Sequence, residues 1–553
     1  MSAFGWSKSP PPPPPRPRNP YATAPESPPD FSPRSAAEAA ALYQAYPGAF
    51  TDFWGLPSNP ISLFKTGVAF RQLEGPGQFR LRRKLVPVTR DHPVAPYWPE
   101  ICPNIESYLN QRSVWWTSID PVRFAEQADQ RLSGPPQHLP AVYAWVGVRP
   151  RTLTPAMAKS VALGIKAMLA EHGYTNLNLE VAFREACLFN HAMLPWTYPD
   201  PAAPRRHVVT PLLGMAIGID QTEREGTGAV YYRVGGAIML LTAAHVLLDP
   251  TPIAHNVGYD YKDATQPKIL VSAPGNKAFK SLESGIKNEI ELLNMCRKAA
   301  LRESANPQNS ADHRAYYRSY VSTTEGSIRI HQVLQSQVAS IRGNLDLGHV
   351  RTADPIIHSD GGYRYTRDWG FVEVAPSNNA AITAVGNRVF IGDIESPEFM
   401  AKMYPRPDER PIHNVTEQGY IQVRGIVPQA GLSAPREHDA AGKPALHVLK
   451  NGRTTQTTLG VLNGLESRTR QTAGGQVKTS SELMVVSTQK HGIFSKKGDS
   501  GAAVLDRRGG LVGLLTAGSG SDGQHADVTY MTPFWWLDQI IKARFKNAQL
   551  MVP

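Results

Sequence analysis

From about residue 205 onward the chain is written in short apolar runs broken by glycine-rich turns, and that texture narrows its fold more than any other feature. The runs include GTGAVYYRVGGAIMLLTAAHVL, RDWGFVEVA, YIQVRGIV, SELMVVST, SGAAVLD and GLVGLLTAG. Short strands with turn signals at this spacing predict a mainly β region, a barrel or a sandwich. One stretch breaks the pattern. Residues 276–303 place Phe279, Leu282, Ile286, Ile290 and Leu293 at helical spacing, and a second helical segment is predicted between about 312 and 338. Together they predict a helical hairpin inserted at about 270–340. FWWLDQIIKARF (534–545) then closes the region as an amphipathic helix.

The chain before residue 205 has a different character. Twelve of the 48 prolines lie in the first 33 residues, so residues 1–34 are expected to be a disordered Pro-rich tail. Pro11-x-x-Pro14-x-Arg16 has the spacing of an SH3- or WW-type ligand, although a solvated spacer is the plainer reading. Residues 35–204 read as a smaller α+β domain whose role the sequence does not state. Ser35 and Glu38 form a capping box at its start. Its clearest unit is a strand at 141–148, a helix at 155–171 and a strand at 176–183. Thr154, Pro155 and Gly173 mark the limits of that helix. The run Arg80–Lys84 is compatible with a nuclear signal, but a solvated charged strand or loop explains it as well.

Composition excludes several classes. A chain of 553 residues, 41% hydrophobic and 19% charged, has ample material for a large core. The net charge of +11 is a mild bias at this length, so nucleic-acid binding is not expected. Cys102, Cys187 and Cys296 are scattered with no CxxC pair, which indicates neither a zinc site nor a disulfide framework. No metal or cofactor is predicted. The opening MSAFGWSKSPPPPPP lacks the apolar core of a secretory signal, and the apolar run at 235–248 is too short and too broken to span a bilayer. The expectation is a soluble intracellular protein, cytoplasmic or nuclear, without a membrane partner.

Three segments within the β region carry chemistry. Leu241-Thr242-Ala243-Ala244-His245 is an apolar strand ending in a histidine; Asp368 heads the apolar run Trp369-Gly370-Phe371-Val372; Gly498-Asp499-Ser500-Gly501 frames a serine with glycines. Covalent amide hydrolysis needs a nucleophile, a base near neutral pKa and a group that fixes the tautomer of that base. A serine hydroxyl is too weak an acid to attack unaided, so His245 would take its proton while Asp368 holds the ring. Gly498, lacking a Cβ, can turn its amide toward a developing oxyanion beside the amide of Ser500. Asp346, Asp354, Asp360 and Asp393 lie in the same interval as Asp368; Asp368 is preferred because the apolar strand after it would set its carboxylate under the imidazole. The order His245, Asp368, Ser500 is that of chymotrypsin, whereas subtilisins run Asp, His, Ser and α/β-hydrolases run Ser, Asp, His.

At these residues the chain resembles the trypsin-like serine proteases of the chymotrypsin fold, and among them the large fungal intracellular proteins that carry such a domain behind a long N-terminal region. RYTRDWGFVEV (364–374), VLKNGRTTQTTLGVLNG (448–464) and HGIFSKKGDSGAAVLDRRGGLVGLLTAG (491–518) extend the likeness. The resemblance covers about residues 205–553 and implies a chymotrypsin-like double β-barrel, with the helical insertion in its first half, acting as a serine endopeptidase on protein or peptide substrates. It implies His245, Asp368 and Ser500 as the catalytic triad and the amides of Gly498 and Ser500 as the oxyanion hole. It further implies a primary pocket with Phe494 at its floor and Thr516, Ala517 and Gly518 as one wall. A catalytically silent scaffold of the same fold is the competing reading. Family members with an aspartate before the serine are often activated by a cut whose new amino terminus pairs with it; Asp499 holds that position, yet no obvious activation site precedes the barrel.

Overall fold

The computed structural model describes residues 34–70, 82–127, 141–189, 207–220, 222, 224–248, 256–263, 265–342, 345–411, 419–473, 476–489, 492–520 and 526–552. Residues 1–33 of the Pro-rich tail, Arg80 and Leu81, and Asp522 of the loop after the third pocket-wall residue lie outside them. The protein is mostly β, and among the described residues no helix is long and apolar enough to cross a membrane.

The N-terminal unit is a sheet carrying helices on one side. Its strands are β1 (Ser62–Lys65), β2 (Arg82–Val86), β3 (Trp116–Gln127), β4 (Val142–Val148), β5 (Leu179–Glu185) and the short β6 (Cys187–Phe189). Helix α1 (Ala36–Ala45) starts at the Ser35–Glu38 capping box. Helix α2 (Trp98–Gln111) buries Ile101, Ile105 and Leu109, and α3 (Pro155–Glu171) buries Val161, Ile165 and Leu169. Both stripes recur at helical spacing and meet Ile119, Val146, Val181 and Phe183 of the strands in one apolar core. Helix α3 is the crossover between β4 and β5, which pair in parallel. In β2, Arg83 is buried over the ring of Phe70 while Lys84 points outward, the alternation of an ordinary half-buried strand.

The region after residue 207 is organised around two circuits of antiparallel pairing. The first uses β7 (Ala216–Ile219), β8 (Glu225–Thr227), β9 (Val230–Val234), β10 (Ala237–Thr242), β11 (Leu270–Ser272), β12 (Asp346–Ala353) and β13 (Gly370–Val374). Strand β7 pairs with β8, β9 with β10, β10 with β13, β13 with β12, β12 with β11 and β11 with β7. Gly228 and Ala229 lead from β8 into β9, and the hydrogen-bonded order of this set runs from β9 through β10, β13, β12, β11 and β7 to β8. The second uses β14 (Leu446–Gly452), β15 (Gln456–Leu462), β17 (Gln476–Ser487), β18 (Ala503–Asp506), β19 (Gly510–Gly520) and β20 (Val528–Pro533), which also pair in a ring. Strand β16 (Ser467–Ala473) forms a hairpin with β17 and joins this ring to β3 of the N-terminal sheet. The ring of the second set leaves no free end in its strand order, which removes exposed edges that its β-forming sequence would otherwise present. Leu240, Leu241, Val350 and Phe371 of the first circuit share a core with Leu449, Leu505 and Leu514 of the second.

A four-residue helix, α4 (Ala244–Leu247), follows β10. The long helices α5 (Asn276–Ala305) and α6 (Ala311–Ile341) pack through Phe279, Leu282 and Ile286 against Leu334 and Val338. Their base is tied to the first circuit, since the Glu225 carboxylate of β8 accepts the backbone N–H groups of Lys277 and Ala278 in the first turn of α5. Helix α7 (Phe534–Arg544) packs Phe534, Leu537 and Ile541 inward, and β21 (Gln549–Leu550) then adds to β9.

Candidate active site

Strand β10 is paired on both edges and reads AIMLLT with no polar alternation, as a strand buried on both faces requires. Its register against β13 sets Thr242 opposite Gly370, so the chain leaving β10 lies beside the chain entering β13. His245 is on the first side of that junction and Asp368 on the second. The pairing therefore brings them together: His245 Nδ1 lies 2.6 Å from Asp368 Oδ2, and the His245 backbone N–H donates to Oδ1 at 3.1 Å. Both are buried, His245 at 8% exposure and Asp368 at 4%. Burial alone would raise the Asp368 carboxyl; the His245 ring and its hydrogen bonds outweigh that and hold it below the usual carboxylate range. With Nδ1 turned to the carboxylate, Nε2 is left as the free ring nitrogen, and it has no hydrogen-bond partner among the described residues.

The other aspartates in the interval are engaged elsewhere or lie apart. Asp354 and Asp360 face Arg367 at 3.8 and 3.4 Å, and Asp354 also meets Arg544. Asp393 accepts the Thr457 N–H at 2.8 Å, and Asp346 is exposed at the start of β12.

Ser500 arrives from the second circuit on the turn before β18. The Gly501 N–H donates to Leu515 O at 2.8 Å, and the Thr227 N–H donates to Ser500 O at 2.9 Å. Gly501 has φ +85°, and a Cβ there would stand 2.2 Å from Thr242 Oγ1, so the serine turn lies directly against the end of β10. Ser500 is wholly buried, and its Oγ, like His245 Nε2, has no hydrogen-bond partner among the described residues. No hydrogen bond joins the two. Gly498 has φ +101°, and a Cβ would come within 2.3 Å of Thr454 Oγ1. Its carbonyl accepts from Thr227 Oγ1 at 2.9 Å, while the amides of Gly498 and Ser500 make no hydrogen bond among the described residues. Two donors are thus left over beside a serine.

Asp499 turns away from those donors and anchors the loop from behind. Its Oδ1 accepts the N–H groups of Thr454 and Thr455, and its Oδ2 accepts Thr455 Oγ1 at 2.6 Å and the Lys496 N–H at 2.9 Å. Lys450 Nζ stands 3.4 Å from Oδ2, and neither side chain has any exposed surface. Burial opposes the charge on Asp499, but Lys450 and the surrounding donors together keep its carboxyl below the usual range. Sequence reasoning passed over Lys450. The signal was the two-residue period of a strand, which puts Lys450 on the face of Val448 and demands an internal partner for the ammonium.

The predicted pocket residues are dispersed around this loop. Phe494 is buried in the apolar core with Leu446, Val485 and Met531, and its carbonyl accepts from Thr458 Oγ1 at 2.7 Å. Thr516, Ala517 and Gly518 lie consecutively on β19, with Ala517 packed in a cluster that includes Trp145 and Phe124 of the N-terminal unit. Gly518 is paired with Phe189 of β6.

Searches against known proteins give a likeness of shape only. No protein-family model matches the chain, and no curated protein matches it. Among solved structures it is similar to Thermobifida fusca protease A at 12% identity, over 62% of this chain and 100% of that one, with a TM-score of 0.27. It is also similar, at 12% identity and a TM-score of 0.26, to a glutamic acid-specific serine protease said to use a histidine triad in substrate binding. That match covers 61% of this chain and 99% of the other.

Proposed function

We infer that the chain is a serine endopeptidase of the chymotrypsin-like double-barrel kind, with His245, Asp368 and Ser500 as its triad. The observations that carry this reading are the His245–Asp368 pair, bonded at 2.6 Å, and a buried serine, on a turn packed against the end of β10, whose Oγ, like the ring Nε2, is left unpartnered among the described residues. A buried polar atom without a partner calls for an explanation, and a catalytic role is one.

In the proposed mechanism Ser500 Oγ adds to the scissile carbonyl as His245 Nε2 takes the hydroxyl proton. Asp368 keeps Nδ1 protonated and stabilises the imidazolium. The amides of Gly498 and Ser500, without hydrogen-bond partners among the described residues, receive the oxyanion. His245 then returns its proton to the leaving amine, the peptide C–N bond breaks, and an ester to Ser500 remains. Water, deprotonated by His245, hydrolyses that ester and frees Ser500. Labelling with a fluorophosphonate tests the reading. Loss of label in Ser500→Ala supports it, and a folded wild-type protein that takes up no label would point to the scaffold instead.

Among the described residues, the side chains around the expected pocket offer no free carboxylate to an arginine or lysine. Ser495 Oγ is hydrogen-bonded to Thr529 Oγ1 at 2.6 Å, and Asp527 is matched by Arg184 at 2.9 Å. Cleavage should follow uncharged, small-to-medium residues, with discrimination among apolar ones of about 1–3 kcal/mol. A peptide-library profile dominated by Arg or Lys at that position would overturn this.

A further inference from the structure

Strand β19 has one edge covered throughout by β20, from Gly513 to Ser519. Its other edge is shared. Strand β18 and the serine turn hold it as far as Leu515, which bonds with Gly501 N and Ala502 O. Beyond that, β6 of the N-terminal unit takes the edge, with Phe189 opposite Gly518, Leu188 opposite Ser519 and Cys187 opposite Gly520. Only Thr516 and Ala517 separate the two occupants, and Leu515 to Gly518 is roughly 10 Å at about 3.3 Å per strand residue. The pairing is antiparallel, so β6 runs from Gly520 toward the serine turn.

That polarity matters for a peptidase. A peptide lying antiparallel on this edge would lead with its amino-terminal side along Gly520–Gly518 and bring a later carbonyl to Ser500. Main-chain hydrogen bonds to an open strand edge are a general way of holding an extended peptide. Here β6 already makes them. It is also fixed by buried polar contacts between the N-terminal unit and the same two strands. Arg184, with no exposed surface, donates to Ser519 Oγ at 3.2 Å, pairs with Asp527 at 2.9 Å and lies over Trp145. Tyr530 OH donates to Asp120 at 2.8 Å, and Ser58 donates to Asp527.

Resting on the protease reading, we propose that β6 is an inhibitory strand: it occupies the β19 edge on which the acyl side of a peptide substrate binds, and the N-terminal unit keeps extended peptides off that edge until β6 leaves. The edge takes an extended polypeptide, and its occupant in the intact chain is Cys187–Phe189.

The test uses the full chain, the variants Leu188→Pro and Phe189→Pro, a small fluorophosphonate, a single-residue ester and an extended tetrapeptide substrate. Proline has no N–H to give a ladder, so whichever variant removes a paired donor should raise kcat/KM for the tetrapeptide about tenfold while leaving ester turnover and labelling by the small fluorophosphonate nearly unchanged. In the wild type the tetrapeptide should gain no more than about twofold over the ester, because the bonds it would make to β19 are already taken. That comparison needs no variant and stands if the prolines prevent folding. A wild-type tetrapeptide advantage of about 100-fold, or proline variants that fold and leave kcat/KM unchanged, would overturn the inhibitory role. Absence of label on Ser500 in every folded form would overturn the protease reading itself, and this proposal with it.

Discussion

The two halves of the site are held in opposite ways. On the first circuit His245 and Asp368 satisfy each other in front, with the imidazole and its own backbone N–H both bonded to one carboxylate. On the second, Ser500 and Gly498 leave their front groups unpartnered among the described residues, and the loop is instead pinned behind by Asp499, Lys450 and the Thr454–Thr455 backbone. Under the proposed mechanism the contrast is a division of labour. A base must be kept in one tautomer, which a front-side bond does; a nucleophile and an oxyanion hole must keep their donors and lone pairs free, so their rigidity has to come from elsewhere.

The largest test of that contrast removes the front of the second half. Ser500→Ala should lower kcat about a millionfold, as loss of a triad serine does, with thermal stability almost unchanged because Oγ makes no bond to lose. Loss of activity through unfolding would count against the assignment. Next comes the front of the first half: Asp368→Asn should cost about 10⁴ in kcat by allowing the wrong tautomer of His245, while circular dichroism shows the fold retained. Near-wild-type turnover in that variant would move the role to another aspartate.

The back of the second half should fail differently. Lys450→Met leaves the Asp499 charge buried without its cation and should destabilise the protein by about 3–5 kcal/mol in denaturant titrations. Adding Asp499→Asn to it should restore much of that loss. If Lys450→Met alone is neutral, the loop is not held in this way.

The smallest effect lies where the halves touch. Glu482 on β17 accepts from Thr366, two residues before Asp368, and burial pushes its carboxyl up to about 8. The folded protein therefore binds a proton that the unfolded chain, with an ordinary glutamate, has released between roughly pH 4.5 and 8. Stability from this group must fall as pH rises through that window. Glu482→Gln should flatten the decline, giving a higher Tm than wild type at pH 9 and little difference at pH 5. An unchanged difference across that range would show that Glu482 does not titrate in it.

Much of this was legible along the chain. The strand-length apolar runs, the helical spacing of Phe279, Leu282 and Ile286, the capping box at Ser35, and the Thr154–Gly173 limits of α3 are local signals, each set by a few neighbouring residues. The proposed trio could also be picked out, since its residue types stand at strand ends in an order that few folds share. Which of the five aspartates meets His245 could not be read from the sequence; the register of β10 on β13 sets Asp368 against it.

What the sequence determined by itself was therefore the kind of elements and the residue types able to act. Tertiary structure alone decided which distant groups meet. Lys450 and Asp499 are 49 positions apart, and Arg184 and Asp527 are separated by 343. Nothing in CLF announces that β6 will lie on the edge of β19. Such contacts depend on chain closure over hundreds of residues and on burial, which sets the strength of a charge pair, whereas propensity and periodicity act over a turn or two.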